Sequence, residues 1–329
     1  MHTEVAHPAP RFRLDDRKKM VLLGLLSVVL IAVFMVIQGQ GIWSYVLPRR
    51  ATKILAIILA GGSIATATVI FQTITQNRIL TPSIIGIDSL YMMVQTAVVF
   101  FLGSTHPIVQ TPNLNFMVCV GVMILFSVVM HRLFFSLARS NIYVLLLLGI
   151  VFGTFFQSIS SFMSVLIDPN EFLIVQSRMF ASFNQVKTQL LAVSWAAAGL
   201  TGLYLSRYLK YLDVLALGRE HAINLGVDHH RVVRDLLIAV FVLISVSTAL
   251  VGPVTFLGLI VANVAYQILD TYKRLPIIGA SILISIIALV GGQLIVERVF
   301  QFSTTLSVII NFLGGVYFLY LLLKERAAW

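Results

Sequence analysis

Ten apolar stretches recur along this 329-residue chain, at 20–37, 54–74, 84–102, 116–130, 142–166, 190–205, 236–251, 254–269, 275–296 and 306–323. A helix rises about 1.5 Å per residue, so the roughly 30 Å hydrocarbon core of a bilayer takes about 20 residues per crossing. Backbone N–H and C=O groups must be satisfied inside the segment where no water reaches, which leaves the helix as the form these stretches can take. The pattern therefore predicts an all-α, polytopic integral membrane protein of about ten transmembrane helices. The stretches at 116–130 and 254–269 are short for a full crossing and are expected to tilt little or to stop inside the protein.

The first stretch follows Arg17-Lys18-Lys19 and imitates a secretory signal, whose apolar core is usually about 7 to 15 residues. This one runs longer and leads into Gln38-Gly39-Gln40-Gly41, which reads as an uncleaved first membrane helix. Ten crossings consume about 200 residues, so the remainder cannot house a separate catalytic domain, and residues 1–329 read as one membrane domain. A chain that is 59% hydrophobic and 11% charged is no soluble nucleic-acid binder, although its formal charge is +10. Membrane lipid is its expected surrounding.

Lys and Arg are retained on the cytoplasmic side during insertion. With the amino terminus inside, 17 of the 23 Lys and Arg fall on that side. The outer six are Arg49, Arg50, Lys53, Arg178, Lys187 and Arg298. Both termini are thus expected in the cytoplasm, with residues 1–19 as a tail and 206–235 as the one long cytoplasmic loop. That loop reads as two helical pieces, 214–225 and a second from His229, separated by Gly226. Outside, Phe172 to Val175 suggest a short surface helix.

Catalytic and nucleotide motifs are missing: the sequence has no GxxxxGK[ST], HExxH or GxSxG. ATP hydrolysis, if coupled to this chain, belongs to another subunit. Cys119 is the single cysteine and reads as a small buried hydrophobe, so neither a disulfide nor a cysteine metal cluster is expected. His229-His230 reads as a solvated pair, and Asp88, beside Gly86, as a carboxylate that caps a helix start or bonds locally, with a transport role as the alternative. Nothing points to a resident metal or cofactor.

Uncharged polar residues inside the stretches, among them Gln72, Gln157, Ser158, Ser160, Ser161, Asn263, Gln293 and Asn311, serve either interhelical hydrogen bonding or a water-filled path. Gln72, Gln157, Ser160 and Asn311 are the candidate path residues. Arg50, Lys53 and Arg298 on the outer side serve either as headgroup anchors or as sockets for carboxylates of a partner. Scarcity of intramembrane acids and histidines disfavours an ion-coupled secondary carrier, which is kept as a distant alternative.

Three blocks resemble the permease subunits of iron-siderophore, haem and cobalamin ABC importers, the FecCD family. The first contains Gly61, Gln72, Asn77, Pro82 and Gly86, with Arg78 where the family has a second proline. The second is Leu217-Gly218-Arg219-Glu220-His221-Ala222-Ile223-Asn224-Leu225-Gly226-Val227, and the third runs from Gly252-Pro253 through Val261. Two family features are replaced, by Ala262-Asn263 and by the stretch Ser303 to Ser307. The resemblance implies a ten-helix type II importer subunit in the bacterial inner membrane, paired with an identical or homologous second permease and with cytoplasmic ATP-binding subunits. It further implies delivery of ligand by an extracytoplasmic siderophore-binding protein that meets Arg50, Lys53 and Arg298. Gly218, Arg219, Glu220, Ala222, Leu225, Gly226 and Val227 are implied to dock on the ATPase. The Ser303 to Ser307 stretch resembles the branch that carries ferric catecholate-type siderophores, with haem or cobalamin uptake as the alternative.

Overall fold

The computed structural model describes residues 15–37, 43–136, 142–184 and 186–326. Residues 1–14 of the expected tail, and Arg11, Arg13 and Arg139 of the charge count, lie outside the described residues. All regular structure in the described residues is helical. In chain order the helices are α1 Asp16–Val36, α2 Trp43–Thr75, α3 Ile87–Leu102, α4 Pro107–Gln110, α5 Pro112–Ser136, α6 Ile142–Leu166, α7 Pro169–Met179 and α8 Thr188–Ser206. They continue with α9 Leu209–Leu215, α10 Arg219–Asn224, α11 His229–Val251, α12 Leu257–Ile268, α13 Arg274–Arg298 and α14 Leu306–Arg326.

Eight of these, α1, α2, α5, α6, α8, α11, α13 and α14, are long and apolar enough to cross a membrane. The other two of the ten expected crossings are the shorter helices α3 and α12, of 16 and 12 residues. Local chemistry trims both. Before α3 the chain spends Pro82–Ile85 on a 3₁₀ turn and then reverses at Gly86, whose φ of 85° suits glycine. Before α12, Gly252 at φ 97° ends α11 and Pro253 follows, so residues 252–256 form a turn instead of a first helical turn. The stretch 254–269 is short as expected. The stretch 116–130 is not, because α5 starts at Pro112 and continues past it to Ser136 for 25 residues.

Helix α2 is the centre of the bundle, flanked by α11, α13, α12, α8 and α1. Lipid is as apolar as leucine, so helices associate here through close packing more than through the hydrophobic effect. Gly149 and Gly153 of α6 show how close: a Cβ on Gly149 would come within 2.6 Å of Ile85 Cα, and one on Gly86 within 2.8 Å of Gly153 Cα. The 3₁₀ turn thus sits directly on the α6 backbone. At the far end of α11, residues 181 and 182 enter the bundle: Ser182 N–H donates to Val251 O (2.7 Å) and Ala181 N–H to Ser307 Oγ (3.1 Å).

The long polar loop departs from expectation in one respect. In place of a single piece over 214–225 there are two helices, α9 and α10, separated by Ala216 to Gly218. Gly218 has φ 106°, which an ordinary residue adopts only with strain, and it breaks the path. Gly226 ends α10 as expected: at φ 80° its N–H donates to Ile223 O while Val227 N–H reaches Ala222 O, closing the helix with a left-handed cap. The surface helix expected around Phe172 to Val175 extends over the whole of α7, started by the Asp168 carboxylate accepting from Asn170 N–H (2.9 Å).

Candidate functional site

The candidate residues for docking gather at the two ends of the bundle. At one end, α9 and α10 project from the membrane helices while remaining bolted to them. Leu212, Leu215 and Ala222 are buried. The Asp213 carboxylate accepts from Arg274 N–H (2.7 Å) and so ties α9 to the start of α13. Tyr208 donates to Asp235 of α11, and that bond holds the Tyr208 phenol above its usual pKa. On the outer face of this unit Leu217, Ile223 and Leu225 are exposed beside the charged Arg219 and Glu220. Three exposed aliphatic side chains on a short polar element form a surface that water does not favour.

A cavity of about 510 Å³ lies against the same unit, lined by Gln76, Asn77, Tyr143, Leu215, Arg219 and His229. His229, expected in solvent, is half-buried here because α11 begins at this residue and directs it back towards the end of α2. Gln72 is buried at the neighbouring turn. Its Nε2 donates to Arg78 O (2.6 Å), and Asn263 Nδ2 donates to the same oxygen (2.9 Å), so the two amides hold the chain where α2 ends.

The opposite end carries Arg50, Lys53 and Arg298, and the structure brings all three around the end of α1. Arg50 was expected to be exposed, but it is only 7% exposed. Its Nη1 donates to Phe34 O (2.6 Å) and Met35 O (3.0 Å), and the guanidinium lies 5.6 Å from the Phe34 ring centroid. The last carbonyls of α1 have no partners within their own helix, and a cation there satisfies them and the helix dipole together. Arg298 Nη2 does the same for Ile37 O at 2.9 Å. Lys53 forms an ion pair with Glu297 at 2.9 Å, and Gln293 Nε2 donates to that carboxylate as well. Beside them opens a cavity of about 1060 Å³, which Arg49, Lys53, Phe183, Lys187, Glu297 and Phe302 help to line. Sequence reasoning missed Glu297, Lys187 and Phe302. A carboxylate one residue from Arg298 was the available signal for the first.

The four candidate path residues do not meet. Besides Gln72, Ser160 turns inward and shares a hydrogen bond with Thr96 (2.9 Å), and Asn311 on α14 is half-buried with an enclosed, unpartnered Oδ1. Gln157 instead faces outward on α6 in a stripe with Thr154, Ser158 and Ser161, all exposed. The spacing i, i+3, i+4, i+7 places these four on one face. Of the readings of Asp88, hydrogen bonding is the one the structure shows. Asp88 makes no cap bond to its own helix, and its carboxylate accepts from Thr248 (3.5 Å) and Thr255 (3.3 Å), joining the start of α3 to α11 and to the turn before α12. Beyond the reach of sequence reasoning, α7 is pinned at both ends. Glu171 accepts from Ser104 N–H and Oγ (3.0 and 2.9 Å), and Arg178 donates to Gln95 Oε1 and to Val109 O.

The model of the FecCD transport family matches residues 19–324. The chain belongs to the FecCD transport family. It is therefore a multi-pass membrane transport protein. It is 56% identical over 314 residues to the petrobactin import system permease protein YclO of Bacillus subtilis, covering 95% of this chain and 99% of that one. It is 36% identical over 282 residues to the petrobactin import system permease protein FatC of Bacillus anthracis, covering 86% and 80%. A solved metal-chelate type ABC transporter in an inward-facing conformation shares the fold, with a TM-score of 0.79 at 18% identity over 94% of this chain and all of that one.

Proposed function

We propose that this FecCD-family chain is the membrane subunit of an ATP-binding-cassette importer that moves a ferric siderophore across the bacterial cytoplasmic membrane. The observation that carries this reading is the 56% identity to a petrobactin import permease, spread over 95% of the chain.

In this reading residues 1–329 act as one membrane domain with both termini in the cytoplasm. The α9–α10 unit faces the ATP-binding subunits: Leu217, Ile223 and Leu225 supply an apolar contact and Glu220 a charge, while burial of Ala222 and the Asp213 bond to α13 carry motion into the bundle. A rigid element moved by a soluble partner is a recognised mode of switching. At the other end Lys53 and Arg298, with Arg50 bracing α1 beneath them, receive the siderophore-binding protein. The exposed polar stripe Thr154, Gln157, Ser158 and Ser161 of α6 faces the path shared with a second permease. A polar face set against lipid tails would be costly.

Uptake of iron as separate ferric siderophores and as haem, and uptake of labelled cobalamin, in cells with and without this chain, tests the proposal. Loss of uptake of a siderophore alone is the expected result. Unchanged siderophore uptake with loss of haem or cobalamin would overturn the substrate assignment, and no change for any ligand would overturn the importer reading.

A further inference from the structure

The 1060 Å³ cavity has properties that receipt of acidic side chains from a partner protein does not require. Its volume is at the upper end of pockets for small molecules, roughly 300–1,000 Å³. Two of the cations at this end are already engaged, Arg50 by the carbonyls of α1 and Lys53 by Glu297. Lys187, at the start of α8, has no acidic side chain within ion-pair distance among the described residues.

The backbone beside the cavity is strained. Gln301 and Phe302 are consecutive non-glycine residues in the left-handed region, at φ 47° and 61°. Such a conformation persists only when its surroundings over-determine it, and it clusters at ligand clamps. Here Phe302 N–H donates to Val296 O (3.1 Å) and Ser303 N–H to Phe300 O (2.8 Å). The result is an aromatic ring, 56% exposed, presented to the cavity with Lys53 Nζ 5.9 Å from its centroid. Phe183 closes the wall at the residue where the 180–184 segment enters the bundle.

From this juxtaposition we infer that the cavity is itself a binding site for an anionic metal chelate that bears aromatic rings, with Phe302 stacking on a ring and Lys187 neutralising the anionic oxygens. An aromatic face adds nothing to recognition of a bare carboxylate, but it adds specificity for an aryl chelate. Charge draws such a ligand in while Glu297 moderates its retention, so the site receives the chelate without trapping it. The inference rests on the importer reading above and adds a ligand contact to the end assigned there to the binding protein.

The test uses the intact importer complex in zwitterionic nanodiscs, without binding protein. Equilibrium retention of ferric 2,3-dihydroxybenzoate complex is compared with that of ferric citrate, an anionic iron chelate without rings. Wild-type complex is expected to hold the aryl chelate more tightly. Phe302→Leu should weaken that binding roughly threefold to tenfold and leave citrate unchanged. Lys187→Gln, which lies outside the strained turn, should weaken both chelates and flatten their salt dependence. Capture of the binding protein should stay within about twofold of wild type in both variants. Equal binding of the two chelates, or aryl-chelate binding unaffected by Phe302→Leu, overturns the inference. So does loss of binding-protein capture with chelate retention intact, which would assign the cavity to protein docking. If the importer reading itself were wrong, siderophore uptake would survive removal of the chain, whereas failure of the cavity assignment alone leaves that uptake dependent on it.

Discussion

Arg50 shows how one side chain can serve the fold at a place where surface chemistry was expected. Its two bonds to Phe34 and Met35 carbonyls bring the end of α1 onto α2, and a lysine cannot reproduce the planar fork that spans them. Arg50→Lys should therefore lower thermal stability of the purified chain, by about 1–3 kcal/mol for a charged bond lost from a mostly buried carbonyl pair. An unchanged melting temperature would return Arg50 to a purely surface role. Lys53 and Glu297 make a pair whose members are both largely enclosed, so Lys53→Glu should weaken transport through like-charge repulsion. The double exchange Lys53→Glu with Glu297→Lys should restore much of it in an uptake assay. Arg50 and Lys53 were legible as cations at the head of an apolar run, but α2 begins before them at Trp43, so they lie inside the helix, and their partners were not legible. Sequence carries no sign that α1 would end beside them.

At the scale of the element, the 3₁₀ turn at Pro82–Ile85 and the glycine pair of α6 are two halves of one joint. A methyl on Gly149 would meet Ile85 backbone at 2.6 Å, and backbone cannot rotate away as a side chain can. Gly149→Ala should reduce the yield of folded protein after detergent extraction, measured by size-exclusion profile, whereas Gly199→Ala, with open space around it, should not. The α9–α10 unit makes a separable prediction. Leu225→Asp places a charge on its exposed apolar face, so the chain should insert normally while co-purification of the ATP-binding subunit falls. Retained co-purification with full transport would remove that docking assignment. Gly226 announced its helix end from sequence because a glycine after a helical run suits the left-handed cap. Gly218 did not, since it precedes a polar run that reads as continuous.

Across the whole molecule, helices with enclosed faces surround α2, and polar chemistry appears where that enclosure stops. The stripe on α6 is one such place: replacing Thr154, Gln157 and Ser158 together with Val, Leu and Ala should slow uptake while assembly with partner subunits persists. Normal uptake would mean the stripe faces no path. Ser160, one turn from this stripe, bonds instead to Thr96. Both kinds of residue looked alike in sequence, because a serine or glutamine in an apolar run is equally suited to clasping a neighbour and to lining water.

The sequence by itself determined the membrane class, the positions of most crossings and the family, because hydrocarbon thickness and backbone hydrogen bonding leave an apolar run of sufficient length few alternatives. The shortness of α12, at 12 residues, was legible as well, but not that of α3, at 16. Only tertiary structure decided which polar groups face each other: the double clasp on Arg78, the engagement of Arg50 by α1, the pairing of Lys53 with Glu297 some 244 positions away and the strained presentation of Phe302. Such contacts depend on the rotation and depth of whole helices. Packing between helices sets both, and an apolar run specifies neither.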